Sequence, residues 1–326
     1  MTLGLVLGTG GQLGYAWTVA ALTTWEQATG RDAREAEVLV GTSAGSVVAA
    51  ALASGVPVSD MLEQLLNPPP PRPRPPHAPP STARRGLPPV PRVGPGSLRL
   101  LGAITRRPRR FPPLAFGAAL LPTGRGDTTG LHRWATKWAS ETWPEHPQVR
   151  IVAMDYDSGA RVPFGRPGAP PASMAEAATA SCAVPGWFSP VRIAGRRYVD
   201  GGVCSATSAD LLLDDDLPRV DEALVLVPLA RSGPTPRVWS DPVAATDGWL
   251  RGLIGGRSGQ ETDRLRKAGI AVTEHAPGAE DRAVTGWNVM DPRKQAEVAR
   301  VALRTTAERW GRPDDDRADD DRAGER

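Results

Sequence analysis

The sequence predicts an α/β fold with a mainly parallel central sheet covered by helices. Two observations carry this expectation. Short apolar runs alternate with segments of helical spacing from the first residues onward, and the early switches fall at glycines. The 326-residue chain is also 40% hydrophobic, enough for a substantial core.

The elements follow in order. "LGLVLG" (3–8) reads as a buried strand running into glycines. "LGYAWTVAALTTWEQATG" has helical spacing and stops at Gly30, a residue suited to a helix C-cap. "EVLVG" (37–41) is a second strand, and "AGSVVAAALASG" a helix ending at Gly55. The chain thus opens β-α-β-α. Further on, "TTGLHRWATKWASETW" reads as a helix with Trp134 and Trp138 one turn apart, on a core-facing side. "VRIVAMDYDSGARVPF" reads as two strands across an Asp-Ser-Gly turn. "SMAEAATASCAVPGWF" reads as a helix broken at Pro185. "VRIAGRRYVDGG" reads as a hairpin whose second arm ends at Asp200. "EALVLVPLA" and "GIAVTEHAP" are two more strands, and "DPRKQAEVARVALRTTAERWG" is a closing helix.

Two segments stand outside this pattern, leaving one domain over 1–312. "NPPPPRPRPPHAPPSTARRGLPPVPRVGPG" belongs to a Pro/Arg-rich insertion at about 67–112, because proline at this density suits neither helix nor sheet. The tail at 313–326 is dense in charge, acid in the majority, and reads as disordered. The net charge is only +3, yet no Asp or Glu occurs from Gln64 to Gly126, where eleven arginines fall. That bias suits peripheral contact with an anionic membrane, or a mobile spacer. It carries no reading motif for specific nucleic-acid binding. Two cysteines make no disulfide framework and no zinc spacing. The first residues lack the pattern of a signal peptide, and no apolar run reaches membrane-spanning length. A cytoplasmic protein, peripheral to the membrane if attached at all, is the expectation.

Three motifs carry chemistry. Gly41-Thr42-Ser43-Ala44-Gly45 is a G-x-S-x-G between a strand and a helix, the setting of a nucleophile elbow. Gly8-Thr9-Gly10-Gly11-Gln12-Leu13-Gly14 is glycine-rich but breaks the dinucleotide fingerprint in both registers, and no Walker lysine follows. Such a loop can instead offer bare N–H groups to a developing oxyanion. "YVDGG" (198–202) sets Asp200 at a strand end. Of the four histidines, only His275 follows Asp200, as the Ser-acid-His order of α/β-hydrolases requires. Its surroundings suggest a solvated side chain. The remaining base for Ser43 is Asp200 itself, provided that burial raises its pKa.

"LGTGGQLGYAW", "GTSAGS" and "ATASCAVPGWFSPVRIAGRRYVDGG" resemble the three blocks of the patatin-like phospholipases. The resemblance spans roughly residues 3–310 apart from the insertion. It implies a three-layer α/β/α fold and hydrolysis of lipid acyl esters by a Ser-Asp dyad without cofactor or metal. Carried over, Ser43 is the nucleophile and Asp200 the general base. Gly10 and Gly11 are oxyanion donors, with the Ala44 N–H an addition. Two positions depart from the family: Thr9 where a glycine is usual, and Leu13 where arginine or lysine is frequent. The missing cation bears on phospholipid preference more than on ester hydrolysis. Two rivals remain at this level, a catalytically silent binding protein and an esterase with a Ser43-Asp200-His275 triad.

Overall fold

A computed structural model describes residues 1–68, 94–230 and 256–311. One sheet organises the chain. Its strands are β1 (Leu3–Leu7), β2 (Val38–Thr42), β3 (Gln148–Asp155), β4 (Arg161–Phe164), β5 (Val191–Ile193), β6 (Arg196–Asp200), β7 (Glu222–Leu226) and β8 (Ala271–His275). The order across the sheet is β5-β6-β3-β2-β1-β7-β8, with β4 also paired to β3. The five strands β3-β2-β1-β7-β8 pair in parallel, and β4, β5 and β6 join antiparallel. The mainly parallel sheet expected from the sequence is therefore present.

Both faces are covered, which is why β1 and β2 are buried throughout. Leu3, Leu5, Leu7 and Leu39 point to the larger core. It is shared with α1 (Gly11–Thr29), α2 (Ala44–Ala53), α3 (Val58–Leu66), α6 (Thr128–Trp138), α7 (Met174–Ser181) and α10 (Gln295–Trp310). Val6, Val38 and Val40 point the other way. There they meet the 3-10 turn at Ala209–Leu213 and α8, described over 256–267. This strand-by-strand alternation is the period-two geometry of a sheet buried on both sides. A short helix α9 (Ala279–Thr285) precedes α10. Trp138 of α6 is buried in the larger core and Trp134 packs against it, as their spacing predicts.

Of the insertion expected at about 67–112, residues 69–93 lie outside the described residues, as does the tail from 312. The remainder carries α4 (Leu98–Arg106) and leads into α5 (Pro113–Leu120). Leu100 and Ile104 of α4 join Ala115, Ala118 and Ala119 of α5 in a third core over Met154, Tyr156 and Val199. Among the described residues no helix is long and apolar enough to cross a membrane.

The helix expected to break at Pro185 stops earlier, at Ser181. Its start is fixed by a capping box between Ser173 and Glu176. Its end is set by the sheet, because the Ala183 carbonyl turns to accept the Asp200 N–H at 3.0 Å.

Candidate active site

The register of β3 brings the two key strands together. Thr42, the last residue of β2, pairs with Val152, and Asp200, the last residue of β6, pairs with Ala153. β4 pairs with β3 over the stretch that includes both Val152 and Ala153, so it occupies the other edge. β2 and β6 therefore share one edge of β3 and meet end to end. A strand residue has one partner on each side, so no other arrangement satisfies all three pairings. Ser43 is the next residue after Thr42 and falls beside Asp200. The antiparallel return of the β5–β6 hairpin makes this approach.

Ser43 Oγ donates a hydrogen bond to Asp200 Oδ2 at 2.6 Å, across 157 residues of chain. Both residues are buried, at 4% and 5% exposure. The other carboxylate oxygen, Oδ1, accepts the Gly202 N–H at 2.7 Å. Burial pushes the Asp200 carboxyl up to about 6, against the lowering effect of these two donors. A carboxylate in that range is a far better base than a free one near 3.9.

Ser43 sits at φ +54° and ψ −124°, outside the usual range for a residue with a side chain. Such backbone costs about 1–3 kcal/mol and persists only where its surroundings enforce it. The enforcing contacts are specific. Ser43 N–H donates to Ser181 Oγ at 2.8 Å, and Ser181 Oγ donates in turn to the Val152 carbonyl at 2.6 Å. The Ser43 carbonyl accepts from Ser46 Oγ at 2.6 Å. Gly45 has no alternative, because a Cβ there would collide with the Leu7 carbonyl oxygen. The sequence reading missed Ser181, although it lies inside the quoted third block; a small polar residue ending an Ala-rich helix was the available signal.

The glycine loop follows β1, which pairs with β2 on the side away from β3. Gly8 N–H donates to the Leu226 carbonyl at 2.9 Å and Thr9 N–H to the Ala206 carbonyl at 2.8 Å. The Thr9 methyl lies against Gly202, where a Cβ would approach it to 2.6 Å. Thr9 thus seats the loop on the Asp-Gly-Gly turn. Gly11 opens α1 at φ +60°, a conformation that favours glycine. The N–H groups of Gly10, Gly11 and Ala44 have no acceptor among the described residues. Gly11 and Ala44 are each the first residue of a helix, where partial positive charge collects. Leu13 is fully buried in the larger core, so the position where the family often carries a cation is a packing position here.

His275 is not solvated, contrary to the sequence expectation. It is 3% exposed, stacked on Trp17 at 5.3 Å between ring centroids and 5.2 Å from Trp310. The physical reason is strand alternation: Glu274 faces Ser258 and Thr262, so its neighbour points the opposite way, into the α1/α10 layer. Neither ring nitrogen has a hydrogen-bond partner among the described residues. His275 bonds neither Ser43 nor Asp200, so the triad does not form. Burial, with a smaller contribution from Arg309, depresses its pKa to about 3. The unfolded chain binds a proton there near pH 6.5 and the folded one does not. Stability therefore falls as pH drops below about 6.5, by about 5 kcal/mol once both limits are passed. His275→Phe keeps the ring packing and removes the proton site. It is expected to raise Tm at pH 5 relative to wild type; an unaltered Tm–pH profile would contradict the burial argument.

Burial also pushes the Cys182 thiol up, which leaves it a packing residue rather than a second nucleophile. Among the described residues no group of three or more His, Cys, Asp or Glu could hold a metal ion.

Solved structures that match this chain include VipD and ExoU. VipD from Legionella pneumophila matches with 13% identity and a TM-score of 0.40, over 91% of this chain and 66% of that one. The type III effector protein ExoU matches with 16% identity and a TM-score of 0.34, over 95% of this chain and 54% of that one. The chain thus spans less than two thirds of the length of either. No curated protein sequence matches. The family model for patatin-like phospholipase matches residues 5–69 and 102–213, more than half of the chain, with Ser43, Ser181 and Asp200 among them. The chain belongs to the patatin-like phospholipase family.

Proposed function

We propose that the protein is a serine acyl hydrolase of lipid esters, with Ser43 as nucleophile and Asp200 as general base. The observation that carries the reading is the 2.6 Å bond from Ser43 Oγ to Asp200 Oδ2 in a buried setting that raises the carboxyl pKa. As Oγ attacks the ester carbonyl, its proton passes to Asp200 and the carbonyl oxygen becomes an oxyanion. The Gly10 and Gly11 N–H groups stabilise that oxygen, with the Ala44 N–H in addition. The Ser43 N–H takes no part, because Ser181 occupies it. Collapse of the tetrahedral intermediate breaks the ester C–O bond, and Asp200 returns the proton to the leaving alcohol. Water, deprotonated by Asp200, then attacks the acyl-Ser43 ester, and the proton returns to Oγ as the acid departs. This chemistry needs no metal or organic cofactor. The partners are lipid or acyl-ester substrates and, through the Arg-rich segment, an anionic membrane surface.

The test is labelling by a fluorophosphonate probe, followed by a substrate panel of phospholipid, lysophospholipid, monoglyceride and acyl-thioester. Covalent modification at Ser43 and hydrolysis of at least one lipid ester are expected. An unlabelled, inert protein would instead be a binding module.

Ser181 is a positioning residue in this reading. Ser181→Ala is expected to lower kcat by up to about 100-fold through misplacement of the nucleophile, with KM unchanged. Ser181→Thr keeps the hydroxyl and should recover most of the loss. Ser173→Ala weakens the same helix by about 1 kcal/mol at its other end and should leave kcat intact. Wild-type kcat in folded Ser181→Ala would remove this role.

A further inference from the structure

Helix α5 is apolar on the side it should not be. Its inward face, Ala115, Ala118 and Ala119, fills the third core. Its outward residues are Pro113, Phe116, Gly117 and Leu120, with Leu121 following, and none is polar. Phe116, Leu120 and Leu121 are each 48% exposed, and Leu98 beside them is 72% exposed. Leu98 is brought there by Ser97, whose N–H donates to the Ala119 carbonyl. A helix apolar all round belongs in a core or a lipid phase, not in water.

The rim is basic. Arg106, Arg107, Arg109 and Arg110 are exposed at the N-terminal end of α5, and Arg125 is exposed beyond its C-terminal end. None of these five is in an ion pair among the described residues. The nearest acid in sequence is Asp127.

The patch also adjoins the site. α5 packs on the 3-10 turn Gly201–Val203 that directly follows Asp200. Leu121 lies within 3.7 Å of where a Cβ on Gly186 would stand, in the loop whose Ala183 carbonyl holds the Asp200 N–H.

We propose that the outward face of α5, framed by Arg106, Arg107, Arg109, Arg110 and Arg125, docks on an anionic lipid bilayer and presents the Ser43–Asp200 site to it. Charge selects this occupant. The segment 69–93 carries five arginines and no acid, so it is repelled by the same rim. A second copy would bring like charge to like. An anionic bilayer complements the arginines with its headgroups and the Phe116-Leu120-Leu121 side chains with its acyl region. The inference rests on the lipid-hydrolase reading for its purpose, but its measurement does not depend on catalysis.

The experiment is vesicle sedimentation of the full chain carrying Ser43→Ala, so that no lipid is consumed. Vesicles are phosphatidylcholine alone or doped with phosphatidylglycerol. Binding is expected only to the doped vesicles, reversed by salt. Adding Phe116→Ser, Leu120→Ser and Leu121→Ser should weaken partitioning by at least about tenfold. In the Ser43 background the same triple variant should hydrolyse a soluble p-nitrophenyl ester at the wild-type rate yet lose hydrolysis of vesicle lipid. Unchanged sedimentation of the triple variant overturns the proposal. So does a dimer-to-monomer shift in sedimentation velocity without a change in vesicle binding, which would assign the face to a second copy. Loss of the enzymatic reading would show elsewhere, as soluble-ester hydrolysis that survives Ser43→Ala.

Discussion

Ser43→Ala is expected to reduce hydrolysis of a short p-nitrophenyl ester by about 10,000-fold or more, because it removes the atom that forms the covalent bond. The size of the effect follows from the setting. Among the described residues the hydroxyl is the only group donating to Asp200 Oδ2, and burial pushes up the pKa of Cys182, the nearby thiol. The fold should survive the change. The positive φ of Ser43 is enforced through its backbone N–H and carbonyl, both retained in alanine. Tm should therefore stay near wild type, or rise as a buried polar group is lost. Activity that persists in a folded Ser43→Ala protein would end the covalent mechanism. His275→Ala is the contrasting variant: it opens a cavity between Trp17 and Trp310 and costs stability, but the surviving folded protein should turn over normally.

Asp200→Asn is expected to lower kcat by roughly 1,000- to 10,000-fold while making the protein more stable above pH 6. The two effects share one cause. The folded carboxyl has its pKa raised from 3.8 to about 6, so burial opposes the ionised form that the reaction needs. Between about pH 4 and 6 the folded state holds a proton that the unfolded chain has released. Stability therefore falls as pH rises through that window, by about 3 kcal/mol in all. Asparagine removes this cost and preserves both contacts, its carbonyl accepting from Gly202 and its amide donating to Ser43 Oγ. Thermal melts across pH should show the variant gaining on wild type up to about pH 6 and running parallel beyond. In the wild type kcat/KM should climb with pH, half-maximal near the same value of about 6. A rate profile flat from pH 4 to 8, or full activity in Asp200→Asn, would falsify the assignment of Asp200 as base.

His275 and Asp200 pull the stability curve in opposite directions across the same window. His275 loses stability as pH falls below about 6.5, and Asp200 recovers part of it below about 6. Wild type should thus show a shallower acid response than Asp200→Asn, which keeps His275 alone. This is a consequence of burying one acid and one base, neither with a countercharge among the described residues.

Much of the architecture was legible because it is local. "LGLVLG" and "EVLVG" are too short and too apolar to be anything but buried strands, and α1 ends at Gly30 in the left-handed conformation the glycine anticipates. The elbow was legible for the same reason: Gly41 and Gly45 flank Ser43 within one strand-turn-helix unit. Asp200 was legible as a strand-end acid ahead of two glycines. Other features were hidden because they are decided by distant contacts. His275 looked solvated beside Glu274, and only the packing of α1 and α10 over β8 decides that its side of the strand is the inner one. Ser181 offered only its place as a small polar residue ending an Ala-rich helix, since its partners are Ser43 and Val152, 138 and 29 residues away. "SLRLLGAITRRPRR", at the end of the Pro/Arg-rich insertion, has the spacing of one amphipathic turn or two, and the core over Tyr156 and Val199 is what extends it into α4.

The sequence by itself determined the kinds of element, the strained serine turn and the chemical identity of the acid, because backbone preference and hydrophobic period act over a few residues. Tertiary structure alone decided that the serine and the acid meet. That depends on β2 and β6 ending against adjacent residues of β3, Val152 and Ala153, on one edge. It also decided that the meeting place is buried. Burial raises the Asp200 pKa, and burial is a property of the packed whole rather than of any stretch of chain.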